Sequence, residues 1–279
     1  MQPIVYFNGS YMAKEDAKLS PDDRGFLFAD GVYEVVRSYG GKLFAMEPHL
    51  KRMANGLRAL RIEGFDTQEL GPVCTELLER NSLADQDALI YMQVSRGAAP
   101  RIHTFPDPSV TPTVYAVPSA FTPKVDASVG VPVITSPDMR WMRCDIKSVA
   151  LLPNCLAAQE AKEKGAPEAI LIRDGIALEG THTSFFGVLD GVVRTAPLSN
   201  YVLPSITRAV ALELCQENNI PVREFPILQQ ELDTADELML VGTTVEIMPI
   251  VSVDGRKVGN GKPGPVARRM LELFRPRTR

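Results

Sequence analysis

A two-domain α+β architecture is what this 279-residue sequence predicts. Three observations carry the expectation. Apolar runs with the alternation of strands are interleaved with stretches whose apolar residues fall at helical spacing. A chain of this length can bury a core large enough for one or two domains. The proline-bearing segment Pro118-Ser119-Ala120-Phe121-Thr122-Pro123 reads as a connection. Domains are therefore expected over 1–118 and 124–279, with 119–123 as the linker and a cleft at their junction, where sites are common.

The elements follow in order. Ile4 to Phe7 is a strand entering a tight turn at Asn8-Gly9. Gly31 to Gly40, rich in Val and Tyr and bounded by glycines, is the next strand. A helix over Glu47 to Leu60 places Leu50, Met53, Leu57 and Leu60 on one face. A second, over Thr67 to Arg80, does the same with Leu70, Val73, Cys74 and Leu77. Ala88 to Ser95 and Thr113 to Pro118 are further strands. Beyond the linker, helices at Asn154 to Lys164, Ser205 to Asn218 and Gly264 to Phe274 alternate with strands at Ala169 to Arg173, Ser184 to Leu189 and Glu237 to Val241. No internal repeat or low-complexity tract interrupts them.

Composition narrows the functional classes. With 45% hydrophobic and 23% charged residues the chain is an ordinary soluble globular protein. A net charge of −4 argues against wholesale binding of nucleic acid or acidic membranes. Locally, Arg256 to Arg279 carries eight basic residues against the single acid Glu272, which suits a solvated helical edge or, as a non-enzymatic alternative, a polyanion site. Cys74, Cys144, Cys155 and Cys215 form no CxxC pair, so buried free thiols in a reducing cytoplasm are expected, with neither zinc nor disulfides. Neither a leader peptide nor an apolar run long enough to span a membrane is present.

Chemistry enters at Arg143-Cys144-Asp145-Ile146-Lys147-Ser148. Lys147 lies between Ile146 and Val149-Ala150-Leu151-Leu152, an apolar setting that would disfavour its charged form and free the amine as a nucleophile. A Schiff base with a carbonyl cofactor is the reaction such an amine performs best. Taken alone, such a lysine is ordinarily one that caps a strand or snorkels beside a core segment. Leu178-Glu179-Gly180-Thr181-His182-Thr183 then supplies a carboxylate followed by small hydroxyl residues.

Several separated motifs together resemble the fold-type IV pyridoxal-phosphate enzymes, and within them the D-amino acid aminotransferases. They are Asp23-Arg24-Gly25-Phe26-Leu27-Phe28-Ala29-Asp30-Gly31-Val32-Tyr33-Glu34-Val35-Val36, Ser95-Arg96-Gly97, Arg101-Ile102-His103, Arg140 to Ser148, Glu179-Gly180, Ser205-Ile206-Thr207-Arg208 and Thr243-Thr244-Val245-Glu246-Ile247. The likeness spans roughly residues 4 to 274. It implies a small α/β domain and a larger β-rich domain with surrounding helices.

The resemblance implies roles for single residues. Lys147 would hold pyridoxal 5′-phosphate and shuttle the substrate proton. Glu179 would face the pyridine nitrogen and keep it protonated. Ser205, Ile206 and Thr207 open an amphipathic helix whose amides suit an anion, so they match the family's phosphate cradle, as do Thr243 and Thr244. Arg52 matches the phosphate-binding arginine, although on its helix it falls roughly opposite the apolar stripe, where a solvated arginine is expected. Arg101 and His103, two apart in an extended loop, project to one side and match the pair that holds a D-amino acid's α-carboxylate. Tyr33 and Val35 share a strand face on the substrate side, and Thr181, His182 and Arg140 match substrate-side or hydrogen-bonding positions. Branched-chain members usually carry glycine at the position of Val35. His182 stands where a small hydroxyl residue is common, Gly242 lacks a hydroxyl that some relatives have, and His49 reads as structural.

The implied reaction is a ping-pong transamination between D-amino acids and 2-oxo acids such as pyruvate or 2-oxoglutarate. A homodimer with shared sites is implied, with Arg101 and His103 lent across the interface. Alternatives with the same fold are an (R)-selective amine transaminase, a branched-chain L-aminotransferase and an aminodeoxychorismate lyase.

Overall fold

In the computed structural model, which describes residues 2–278, the chain divides into two units. One comprises Met1–Thr122 with Ile146–Ala150, the other Pro123–Asp145 with Leu151–Arg279. The lysine-bearing segment Ile146–Ala150 thus packs with the first unit, whereas the sequence reading sets it within 124–279.

Turn chemistry starts the first unit. β1 (Ile4–Phe7) and β2 (Ser10–Ala13) are joined through Asn8 and Gly9, at φ of 46° and 88°. Positive φ at both central positions is what a two-residue hairpin needs, and Asn-Gly adopts it with little strain. There follow α1 (Arg24–Phe28), β3 (Gly31–Tyr39), β4 (Lys42–Leu43), α2 (Met46–Leu60), α3 (Leu70–Arg80), β5 (Ala88–Ser95) and β6 (Thr113–Ala120). The strands form one antiparallel sheet in the order β2-β1-β6-β5-β3-β4. Val32, Val36, Ile90 and Met92 face a core completed by Leu50, Met53 and Leu57 of α2 and Leu70, Cys74 and Leu77 of α3. Each such side chain contributes roughly 1.5–3 kcal/mol on burial.

Two boundaries differ from expectation. The helix expected from Thr67 opens as a 3-10 turn, Thr67–Glu69, because Asp66 accepts a hydrogen bond from the Gln68 amide (3.0 Å) and sets a separate start. β6 runs through Pro118 to Ala120, so the segment read as a linker begins inside a strand. Pro118 lies beyond the residues of β6 that pair with β1, where a missing N–H breaks no ladder on that side.

The second unit contains β7 (Val131–Pro137), α4 (Leu152–Glu163), β8 (Ala169–Arg173), β9 (Ile176–Gly180), β10 (Ser184–Leu189), β11 (Val192–Thr195), α5 (Ile206–Glu217), β12 (Val222–Glu224), β13 (Ile227–Leu228), β14 (Glu237–Gly242), β15 (Glu246–Val253), β16 (Arg256–Lys257) and α6 (Pro265–Phe274). Its ten-stranded sheet runs β12-β11-β10-β14-β15-β7-β8-β9-β13, with β16 beside β15. β7 pairs in parallel with β15 and β8. Ser184 of β10 also pairs with Glu179 of β9, so the path β10-β14-β15-β7-β8-β9 returns on itself. β14 is buried along its whole length, which explains its unbroken apolar run.

Among the described residues no helix is long and apolar enough to cross a membrane. Cys74, Cys144 and Cys215 are buried free thiols; Cys155, expected to be buried, is exposed on α4. The basic carboxy-terminal stretch is partly paired with acids. Arg256 pairs with Asp233 (2.6 Å), Arg269 with Glu272 (3.7 Å), Arg275 with Glu246 (3.7 Å) and Arg277 with Glu217. Arg279, the last of that stretch, lies outside the described residues.

Candidate active site

Strand alternation sorts the residues of β3. Val32, Glu34 and Val36 turn to the helices, while Tyr33 and Val35 are half-buried on the other face. Lys147 is placed by backbone pairing with the start of that strand. The Tyr33 amide donates to the Lys147 carbonyl (2.9 Å), the Val149 amide to that of Gly31 (3.1 Å), and Val32 pairs with Ser148. The Lys147 amine then donates to the Tyr33 hydroxyl at 3.3 Å and lies 4.3 Å from the ring centroid. Tyr33 is itself stacked on Tyr91, 5.7 Å between centroids. Burial, with the nearby Tyr33 and Tyr115, pushes the Tyr91 phenol up to about 12. A tyrosine backed by a second tyrosine thus stands beside the lysine amine, where the sequence reading invoked the apolar run after it. Ile146 is buried, but Leu152 is 70% exposed on α4.

Glu34 organises the opposite face. Arg52 donates to it from Nε and Nη2, each at 2.7 Å, and His49 Nδ1 lies 2.7 Å from its Oε2. Burial alone would raise the Glu34 carboxyl; the charge and hydrogen bonds of Arg52, helped by His49, outweigh it and hold it at about 2. Burial lowers His49 despite that same bond, which leaves its ring a neutral donor. Arg52 is therefore a largely buried residue, 9% exposed, and not the solvated one that its helix position suggests. His49 and Arg52 lie three apart on α2 and so share a face, the sequence signal that could have linked them to Glu34.

A second buried cluster explains two of the motifs. Asp30 accepts from Arg24 Nε (2.9 Å) and from Arg96 Nε (2.7 Å) and Nη2 (3.0 Å). Arg24 also donates to the carbonyls of Ile102 (2.6 Å), Thr104 (3.4 Å) and His103 (3.5 Å). The exposed loop carrying Arg101 and His103 is thereby fixed by its backbone. Both side chains reach one ring: the Arg101 guanidinium is 5.3 Å and the His103 imidazole 5.7 Å from the Phe28 centroid.

In the second unit Glu179 is buried in β9. Arg140 Nη1 donates to Oε1, and the Leu203 amide to Oε2 at 3.2 Å. Arg140 is in turn gripped by Asp138, Nε to Oδ1 at 2.8 Å and Nη2 to Oδ2 at 2.9 Å. Burial opposes the charge of Arg140, yet Asp138 and Glu179 prevail and raise its basicity. The arginine is thus occupied by Glu179 and Asp138. The sequence reading grouped it with the substrate-side residues.

Glu168, unassigned from sequence, shapes the turn between β9 and β10. Its carboxylate accepts from the amides of Ala169 (3.0 Å), Thr181 (2.9 Å) and His182 (3.4 Å), and from the hydroxyls of Thr181 (2.5 Å) and Thr183 (3.0 Å). A Cβ on Gly180 would stand 2.2 Å from the Thr183 hydroxyl and 2.8 Å from Glu168, so glycine after Glu179 is a steric requirement. Ser205 caps α5, its hydroxyl accepting from the Arg208 amide (3.2 Å), with half-buried Ile206 and buried Thr207 in the first turn. Thr243 and Thr244 lie, half-buried, in the turn joining β14 to β15.

Known proteins resemble this chain along almost its whole length. The model of the family described as amino-transferase class IV matches residues 31–253. A D-alanine aminotransferase of Staphylococcus haemolyticus is 39% identical over 97% of this chain and 96% of its own. The Escherichia coli branched-chain amino acid aminotransferase superposes with a TM-score of 0.90 at 27% identity, covering 99% of this chain and 94% of that one. The branched-chain aminotransferase of the thermophilic archaeon Thermoproteus uzoniensis, solved with norvaline, gives 0.88 at 26% identity, covering 98% and 93%. A buried carboxylate gripped by arginine, a lysine amine beside a tyrosine and a family match across most of the chain lead to one conclusion: this chain belongs to the class IV aminotransferases.

Proposed function

We propose that the protein transaminates D-amino acids with 2-oxo acids, using pyridoxal 5′-phosphate. The observation that carries the choice of substrate hand is the pair Arg101 and His103, brought to one ring in a loop that Arg24 fixes. The likeness to D-alanine aminotransferases supports it. The residues present suit the cofactor. Glu179 is buried and accepts from Arg140 and the Leu203 amide, an arrangement that suits a carboxylate facing a protonated ring nitrogen, and the first turn of α5 and Thr243-Thr244 offer amides and hydroxyls to a phosphate. Bound there, the cofactor supplies the electron sink that makes the substrate Cα proton acidic.

The chain's own residues do the rest. Lys147 Nζ anchors the cofactor and takes the Cα proton, with the Tyr33 hydroxyl orienting the amine. Arg52, aimed by Glu34, contributes positive charge to the phosphate. Arg101 and His103 hold the α-carboxylate, across the interface of a homodimer with shared sites. Val35 narrows the substrate face where branched-chain relatives have glycine. The test is a panel of D- and L-amino acids and (R)-amines with pyruvate or 2-oxoglutarate. Preferential turnover of D-amino acids is expected; preference for branched-chain L-amino acids or simple (R)-amines would overturn the assignment.

A further inference from the structure

One buried hydroxyl of the ten-stranded sheet is left over by the fold. Ser184 opens β10, is 4% exposed, and its Oγ has no hydrogen-bond partner among the described residues. A hydroxyl shut away from water without a partner is costly, so such a group ordinarily meets a ligand or an ordered water. We propose that Ser184 is a cofactor-binding residue, whose hydroxyl donates to an oxygen of bound pyridoxal 5′-phosphate on the sheet face that presents Glu179. This rests on the transamination reading and deepens it.

Strand register fixes the face. Ser184 pairs directly with Glu179 of β9, and residues opposite one another in an antiparallel pair turn their side chains to the same side. Alternation agrees. The Thr183 hydroxyl donates to Glu168 (3.0 Å), and a Cβ on Gly180 would meet both Thr183 and Glu168, so these two positions face Glu168. One step along each strand, Glu179 and Ser184 therefore face the other way. There Glu179 accepts from Arg140 and from the amide of Leu203, where the chain leads into Ser205 and α5. On its other flank Ser184 pairs with Val241 of β14, two residues before Thr243.

Neighbouring hydroxyls are already committed. Thr181 and Thr183 donate to Glu168, and Ser205 accepts from the Arg208 amide. The hairpin that carries Ser184 is also held in place. Its Gly180 amide donates to the Thr183 carbonyl (2.7 Å), and Asn154 Nδ2 donates to the Thr181 carbonyl (2.7 Å). A fixed donor beside the carboxylate that faces the ring is what a bound cofactor oxygen requires.

The experiment starts from holoenzyme, strips the cofactor and titrates the apo-form with pyridoxal 5′-phosphate or inorganic phosphate. Ser184→Ala should raise the dissociation constant for pyridoxal 5′-phosphate about tenfold, the worth of a hydrogen bond to a charged oxygen. Its apo-form should melt at the wild-type temperature or above, because the variant removes a buried hydroxyl that the chain does not satisfy. Ser184→Cys fills the same place with a weaker donor and should lose nearly as much affinity as alanine. Parallel weakening of inorganic phosphate would make the acceptor a phosphate oxygen. Unchanged phosphate binding would make it the phenolic oxygen, and either result supports the proposal. An unchanged constant for Ser184→Ala, or wild-type affinity in Ser184→Cys, would overturn it. So would a Ser184→Ala apo-form that melts well below wild type, which would make the hydroxyl a brace of the sheet. Failure of wild type to take up pyridoxal 5′-phosphate would instead reject the transamination reading beneath it.

Discussion

Arg52 meets Glu34 through two parallel hydrogen bonds of 2.7 Å, and the carboxylate between it and His49 is fully buried. A fork-to-fork pair of this kind fixes the plane of the guanidinium, so the direction of its charge is set by a strand residue and not by the helix that bears it.

Glu34→Gln removes the anion and leaves Arg52 and His49 facing an amide. Breaking a buried pair from one side costs about 3–5 kcal/mol, so chemical denaturation at pH 7 should show a loss of that order. The pH dependence has a definite sign. Held at about 2 in the folded protein against 4.5 ordinarily, Glu34 contributes stability that is complete above pH 4.5 and is lost as pH falls toward 2. The gap between wild type and variant should therefore close across that window. A constant gap from pH 7 to pH 2 would contradict the pairing.

Lys147→Ala should leave stability nearly unchanged, since the residue is only half-buried, but lower turnover by about a thousandfold or more. Wild type should be trapped by borohydride at Lys147 and the variant should not. Robust steady-state transamination by the variant would remove Lys147 from the chemistry.

Glu179→Gln should slow the half-reactions by about a hundredfold while weakening cofactor retention far less, because an amide cannot favour a protonated ring nitrogen and the phosphate contacts remain. Stopped-flow rates equal to wild type would reject the pairing of Glu179 with that nitrogen.

A mixture of Lys147→Ala and Arg101→Ala, unfolded and refolded together, tests whether the carboxylate pair acts on the partner's site. If it does, each heterodimer carries one intact site, and random pairing restores roughly a quarter of wild-type sites. Activity no higher than that of the separate variants, with heterodimers verified by native mass spectrometry, would place Arg101 in its own subunit's site or on an idle surface.

Motifs picked out the candidate site residues in sequence, but local pattern could not supply their surroundings. Amphipathic spacing placed Leu50, Met53 and Leu57 in the core, yet the same rule sent Arg52 to solvent, because periodicity counts apolar residues and is blind to a buried charge with a partner. Glu34 and Glu168 went unassigned for the same reason: each matters through bonds to residues distant in the chain. β7 escaped notice because Pro132 and Pro137 discount a strand, and β9 because its pairing with β10 is tertiary. Glu179, matched to the cofactor's partner by resemblance, is buried inside that strand.

The grip of Arg24 on the carbonyls of Ile102, His103 and Thr104 has a thermodynamic consequence for any ligand of Arg101. An exposed loop that must settle on binding forfeits about 1 kcal/mol or more for each residue it orders. Here that loss of freedom is incurred when the chain folds, anchored by the buried Asp30 carboxylate through Arg24. Affinity for a small carboxylate is then not eroded by loop ordering, and loosening Arg24 should weaken binding without touching a single ligand contact.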